Sequence, residues 1–265
     1  MVDHSWGGRL CIPFIIWSLF YSGISLVKDF YHNTSVHLLG YIYQLVIGKS
    51  ATPFYYIVVM MQLTIITPWL VKVVREDRKI KNFLWLVTPC YLVYLYIWNF
   101  ITGSSPYLYE TLFPAWFGFY YLGIEVKYEL KLKFKGYVTM IGFLISCIEA
   151  FGLKKLGMSA GFYTSQITIG SFIFSIAVIG WLLECVDEKD KNVKFLSKIG
   201  DCSYGIFYIH MAVLMLVGKL IQGGNWFFYW ALRFILTLMI SYGIVRIGQK
   251  IFGNRKKILK YIGFI

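Results

Sequence analysis

Eight runs of apolar residues, near 10–27, 53–74, 82–101, 112–126, 136–151, 165–184, 203–221 and 226–246, are separated only by short polar or charged connections. A helix needs about 20 mostly apolar residues to cross the hydrocarbon core of a bilayer. Runs of this kind, so closely spaced, point to an all-α fold: a polytopic transmembrane helical bundle of about eight spans, in a single domain over 1–265. The fourth and fifth runs are short between charges. A further stretch, SVHLLGYIYQLVIG at 35–48, is shorter still and carries His37 and Gln44. It reads as a re-entrant or interfacial segment rather than a ninth span.

Composition agrees. Only 15% of residues are charged and 58% are hydrophobic, against about 25% and 45–50% in soluble domains. A disordered chain, a disulfide scaffold and a soluble enzyme are all excluded. The formal charge of +13 does not indicate nucleic acid, because a nucleic-acid binder gathers its basic residues on one soluble face. Here they sit between apolar runs, and cytoplasmic loops collect such residues. With both termini cytoplasmic, twenty of the 26 Lys and Arg fall inside and five outside, with Arg233 within a span. The expectation is a multi-pass protein of the cell membrane with its C-terminus in the cytoplasm and lipid all around it.

Cys11, Cys90, Cys147, Cys185 and Cys202 are odd in number and form no Cys-x-x-Cys pair. They read as small buried residues, with no metal site and no bound cofactor expected. The N-terminus lacks the basic region and cleavage site of a signal peptide, so its apolar stretch reads as a retained span. Asn33-Thr34-Ser35 fits a glycosylation sequon, a weak signal in a membrane chain.

Ionisable groups are costly inside a bilayer and are therefore functional candidates. His210 stands about two turns into the seventh run, with Ser203 and Phe207 on its face at i, i+4, i+7 spacing and Tyr204 and Tyr208 flanking. An imidazole there can serve as general base or acid, or can simply bond a neighbouring helix. Arg233 lies mid-run between Trp230 and Phe234. It either snorkels to the surface or pairs with a carboxylate or a bound anion. Gln62 reads as a helix-to-helix hydrogen-bonding group, and Glu125 and Glu184 as interfacial residues. Thr164, Thr168, Ser171 and Ser175 form a small polar stripe, more consistent with a packing seam than a pore. No nucleotide-binding glycine loop or metalloprotease histidine pair occurs.

Four segments in order, GGRLCIPFIIWS (7–18), PFYYIVVMMQLTIITP (53–68), FPAWFGFYYLGI (113–124) and CSYGIFYIH (202–210), resemble the membrane acyltransferase family often called acyltransferase 3. The resemblance covers nearly the whole chain. It implies a helical bundle that takes an acyl group, usually acetyl, from cytoplasmic acyl-CoA. The acceptor is a hydroxyl on a lipid-linked or surface carbohydrate. Arg9 matches the family's arginine before Ile-Pro, and Trp17, Tyr55, Gln62, Trp116, Ser203, Tyr208 and His210 match its recurring segments. His210 and Arg9 are the catalytic candidates. Trp17, Tyr55, Gln62, Trp116, Ser203, Tyr208 and Arg233 are the substrate-binding ones. Family members usually begin with two further helices, the first bearing an arginine and the histidine thought to be catalytic. His4 does not replace that histidine, and Trp6 stands where the family pairs a second arginine with Arg9. The expectation is a member shortened at its N-terminus. The alternatives are a non-catalytic membrane scaffold and a transporter or flippase for a lipid-linked sugar; a transporter would show internal repeats and broken helices. No repeat is visible, and only Pro68 and Pro89 offer breaks.

Overall fold

The computed structural model describes residues 5–32, 38–76, 78–128, 132–186, 190–221 and 226–265. Among these residues the chain is helix and turn, with no strand. The helices are α1 (Ser5–Tyr31), α2 (Leu38–Val46), α3 (Tyr55–Glu76), α4 (Arg78–Leu84), α5 (Val87–Thr102), α6 (Pro114–Tyr128) and α7 (Gly136–Lys155). They continue as α8 (Ala160–Tyr163), α9 (Ile169–Cys185), α10 (Lys191–Gly200), α11 (Ser203–Leu220), α12 (Trp226–Ile251) and α13 (Lys256–Tyr261).

Six segments are long and apolar enough to cross a membrane: Leu10–Tyr31, Thr52–Glu76, Ile80–Thr102, Gly136–Lys155, Ser203–Leu220 and Phe228–Ile251. The protein is a multi-pass helical membrane protein. The fourth and sixth apolar runs give shorter helices, α6 of 15 residues and α9 of 17. At 1.5 Å per residue these reach about 22 and 26 Å, less than the core thickness. The sixth run shortens because Thr168 caps α9 through its side chain, taking Ser171 N–H at 3.3 Å. Thr164 ends α8, so the Thr/Ser stripe breaks into two elements instead of lining one helix. The nine residues of α2 reach about 14 Å, too little to span. Neither proline breaks a helix. Pro68 lies within a continuous α3, and Pro89 falls in the first turn of α5, where its missing N–H has no helical partner to lose.

The described chain forms two compact units, Met1–Ile57 with Asp187–Ile265, and Val58–Val186. The first unit has an aromatic centre. Phe54 is fully buried, with the rings of Tyr21, Tyr208, Phe14 and Phe207 at 5.3, 5.6, 6.1 and 6.1 Å. Beyond it the chain terminus folds back: Leu259 and Phe264 are buried with Cys202 and Val245. Trp17 Nε1 donates to Ile262 O at 3.0 Å and Gln249 Nε2 to Phe264 O at 2.7 Å. Gly263 permits this, since φ is +74° and a Cβ would meet the Tyr208 ring at 2.9 Å.

In the second unit α7 packs along α9 through small residues. A Cβ on Gly142 would lie 3.1 Å from Phe174 Cα, and one on Gly170 would lie 2.7 Å from Ser146 Cα. Backbones approach closely here because small residues let helices meet without a hydrophobic drive between them. Glu125 is buried within the protein at 2% exposure. It pairs with Lys81 at 3.8 Å, which explains how the charge is tolerated. Glu184, near the end of α9, is exposed. Gly170→Ala forces a methyl against backbone that has no rotamer to yield. It is expected to cost about 1–3 kcal/mol in reversible unfolding in detergent, whereas Gly152→Ala, which meets nothing within 4 Å, is expected to be neutral.

Candidate functional site

α11 and α12 enclose a cavity of about 670 Å³ whose wall includes Ser203, Phe207, His210, Trp230, Arg233 and Thr237. The spacing of Ser203, Phe207 and His210 on one helical face delivers all three to the same cavity. The tip of α10 closes one end with Ile199 and Gly200.

His210 Nδ1 lies 2.7 Å from Phe207 O and 3.2 Å from Ile206 O. Carbonyl oxygens only accept, so Nδ1 is the donor in these contacts. The ring is half-buried on the cavity wall.

The backbone beside it is unusual. Tyr21 Oη donates to Tyr208 O at 2.8 Å and accepts from Ala212 N–H at 3.0 Å. These two groups are i and i+4 partners in an unbroken helix. The hydroxyl therefore bonds both members of a backbone pair of α11 that flank His210 in the chain. Side chains inserted in this way are a recognised cause of local helix distortion. Tyr21 itself is buried against Phe54 and Trp17.

Arg233 makes no ion pair with a carboxylate among the described residues. Its Nη2 donates to Gly218 O at 2.6 Å and to Ile221 O at 3.4 Å, at the end of α11, where carbonyls lack helical partners. The guanidinium carbon sits 4.1 Å from the Tyr229 ring centroid, a cation–π distance. Two residues that line the cavity also carry a buried polar atom with no partner among the described residues: Arg233 Nε and Thr237 Oγ1.

The other sequence candidates fall elsewhere. Tyr208 is fully buried, stacked on Trp17 at 6.1 Å, with its hydroxyl 2.9 Å from that of Tyr204. Tyr55 opens α3 and is half-buried. Arg9 lies in α1, but its side chain, together with His4, His37 and the Asn33–Ser35 sequon, is outside the described residues.

Gln62 and Trp116 belong to the second unit and hold the connection between α5 and α6. Gln62 Nε2 donates to Thr111 O at 2.9 Å, and Phe113 N–H donates to Gln62 Oε1 at 3.0 Å. Gln62 thus bonds loop backbone, not a facing helix. Trp116 Nε1 donates to Glu110 O at 2.8 Å. The same loop holds Leu108 at φ 61°, the one non-glycine with left-handed backbone among the described residues. Burial pushes the Tyr109 hydroxyl up to about 12, helped by its bond to Glu110, so it stays neutral across physiological pH.

Sequence reasoning missed Tyr21 and Thr237. Thr237 had a readable signal, because Arg233, Thr237 and Ser241 recur at i, i+4, i+8 along α12. Tyr21 had none, being one of 21 tyrosines.

A histidine-bearing cavity inside a helical bundle is the setting of an intramembrane site for chemistry or binding. A family model described as an acyltransferase domain, acyltransferase 3, matches residues 8–246, and the chain belongs to this family. No curated protein and no solved structure matches it.

Tyr21→Phe removes the inserted hydroxyl while keeping the ring. Because Tyr208 O and Ala212 N–H can then bond each other, the loss is expected to be about 0.5–1.5 kcal/mol. Tyr21→Ala also empties the ring's place beside Phe54 and is expected to cost about 3–5 kcal/mol. Thermal unfolding of the purified variants in detergent checks both values.

Proposed function

We propose that this acyltransferase-family protein moves an acyl group, acetyl in the first instance, from cytoplasmic acyl-CoA to a hydroxyl of a lipid-linked or surface carbohydrate. The observation that carries the reading is the imidazole of His210 on the wall of a cavity that Arg233 and Thr237 also line, with its Nδ1 2.7 Å from Phe207 O.

In this reading Nε2 takes the proton as the acceptor oxygen attacks the thioester carbonyl. Arg233 Nε and Thr237 Oγ1 donate to the oxyanion that forms. The carbon–sulfur bond then breaks, and the imidazolium returns its proton to the CoA thiolate. Base and donors of this kind supply most of the acceleration in acyl transfer. Ser203, at the end of α11 nearest α10, positions the donor. Lys194, Lys198, Arg246, Lys250 and the tail lysines attract its polyanionic moiety. The protein then lies in the cell membrane with its C-terminus in the cytoplasm, and Arg9 helps to bind the donor. Trp17 and Tyr208 shape α11 from behind. Tyr55, Gln62 and Trp116 are proposed to bind substrate.

The test is transfer of label from radiolabelled acetyl-CoA to glycan in membranes containing this chain. His210→Ala is expected to lower kcat by about 10²-fold or more, and Thr237→Val by about 10²-fold, the usual loss of one oxyanion donor. Arg9→Ala is expected to abolish transfer. All three variants should still insert into the membrane. Wild-type rates in His210→Ala and Thr237→Val contradict the reading.

A further inference from the structure

The second unit contains a cavity of its own, about 410 Å³, between the last turns of α7, α8 and the first turn of α9. Its size lies within the range of small-molecule sites, about 300–1,000 Å³. Its wall is rich in hydroxyls, and they divide into two sets.

One set is committed to the fold. Thr164 Oγ1 donates to Ala160 O at 2.6 Å, Ser165 Oγ accepts from Ile167 N–H at 3.0 Å, and Ser171 Oγ lies 2.9 Å from Thr168 Oγ1. The other set is unused: Ser146 Oγ, Tyr163 Oη and the Lys154 ammonium have no partner among the described residues. Glu149 accepts from Tyr96 Oη at 2.6 Å and from Gly170 N–H at 2.7 Å, and it makes no ion pair with Lys154 among the described residues. Lys154 is thus the one charged residue on this wall, and Phe151 and Tyr163 supply apolar ring surface to it.

Free hydroxyls, aromatic surface and one cation match a hydroxylated ring that carries a negative charge. The hydroxyls exchange hydrogen bonds with ring hydroxyls, the aromatic faces cover the ring's C–H face, and the ammonium meets a phosphate or carboxylate as a point charge. A purely apolar lipid tail would leave three polar groups unpaired. A bare anion would leave the aromatic surface and Ser146 without purpose. We infer that this cavity binds an anionic sugar, either the phosphorylated sugar of a lipid-linked glycan or an acidic sugar of a surface polysaccharide. The inference rests on the proposed reaction for its choice of carbohydrate.

Cys147 lies on the same wall and serves as the reporter. The full chain is prepared with Cys11, Cys90, Cys185 and Cys202 changed to Ala, and Cys147 is labelled in membranes with a water-soluble maleimide. A Cys147→Ser blank sets the background. N-acetylglucosamine 1-phosphate and glucuronate are the two anionic probes, with glucose and inorganic phosphate as references. A bound sugar is expected to slow labelling by about 1 + [L]/Kd. Protection by the sugar phosphate alone identifies a lipid-linked source, protection by glucuronate alone a polysaccharide source, and protection by both supports the shared chemistry. Lys154→Ala is expected to remove the protection and Lys154→Arg to retain it. Absence of protection by either anionic sugar overturns the inference. So does protection by glucose or inorganic phosphate as strong as theirs, or protection that survives in Lys154→Ala. Labelling is read without acyl-CoA, so failure of sugar binding and failure of acyl transfer are separate results.

Discussion

The hydroxyl of Tyr21 inside the backbone ladder of α11 is the interaction on which the candidate site depends. In hydrocarbon an opened backbone pair has no water to turn to, and each orphaned group costs several kcal/mol. A helix can be opened there only if something supplies both a donor and an acceptor at the gap. Tyr21 does so, donating to Tyr208 O and accepting from Ala212 N–H. Its ring is locked by Phe54 and Trp17. His210 lies inside that step, with Nδ1–H turned to Phe207 O.

The same device recurs in the second unit. Thr88 Oγ1 donates to Pro114 O and accepts from Gly118 N–H, both at 2.8 Å, and so stands in the first turn of α6 as Tyr21 stands in α11. Other side chains finish helix ends. Glu149 takes Gly170 N–H at the start of α9, and Arg233 meets the carbonyls at the end of α11. These bonds explain how α6 and α9 can be too short to span unaided. Their end groups are satisfied by neighbours inside the protein.

The all-helical membrane architecture was legible because long apolar runs and the placement of lysine and arginine are properties of sequence alone. The convergence of Ser203, Phe207 and His210 was legible for a similar reason, helical spacing. Helix ends were not: α9 begins at Ile169 because Thr168 caps it, and a run of apolar residues does not mark that choice. The pairing of Glu125 with Lys81 was hidden because the two stand more than forty positions apart in the chain. The backbone partners of Arg233 and Gln62 were not legible. Each bonds backbone carbonyls or amides, and backbone partners leave no trace in residue identity. The docking of Phe264 by Gln249 and Trp17 was likewise hidden.

The central claim is that His210 is held as the Nδ1–H tautomer with Nε2 free. Its most direct test is ¹⁵N NMR of imidazole-labelled protein in which His4, His32 and His37 are replaced, recorded at a pH where the ring is neutral. The account predicts an Nδ1 resonance of the protonated, pyrrole type and an Nε2 resonance of the bare, pyridine type. In Tyr21→Phe the two resonances are predicted to move toward the averaged values of exchanging tautomers. A wild-type spectrum with the proton on Nε2 would contradict it.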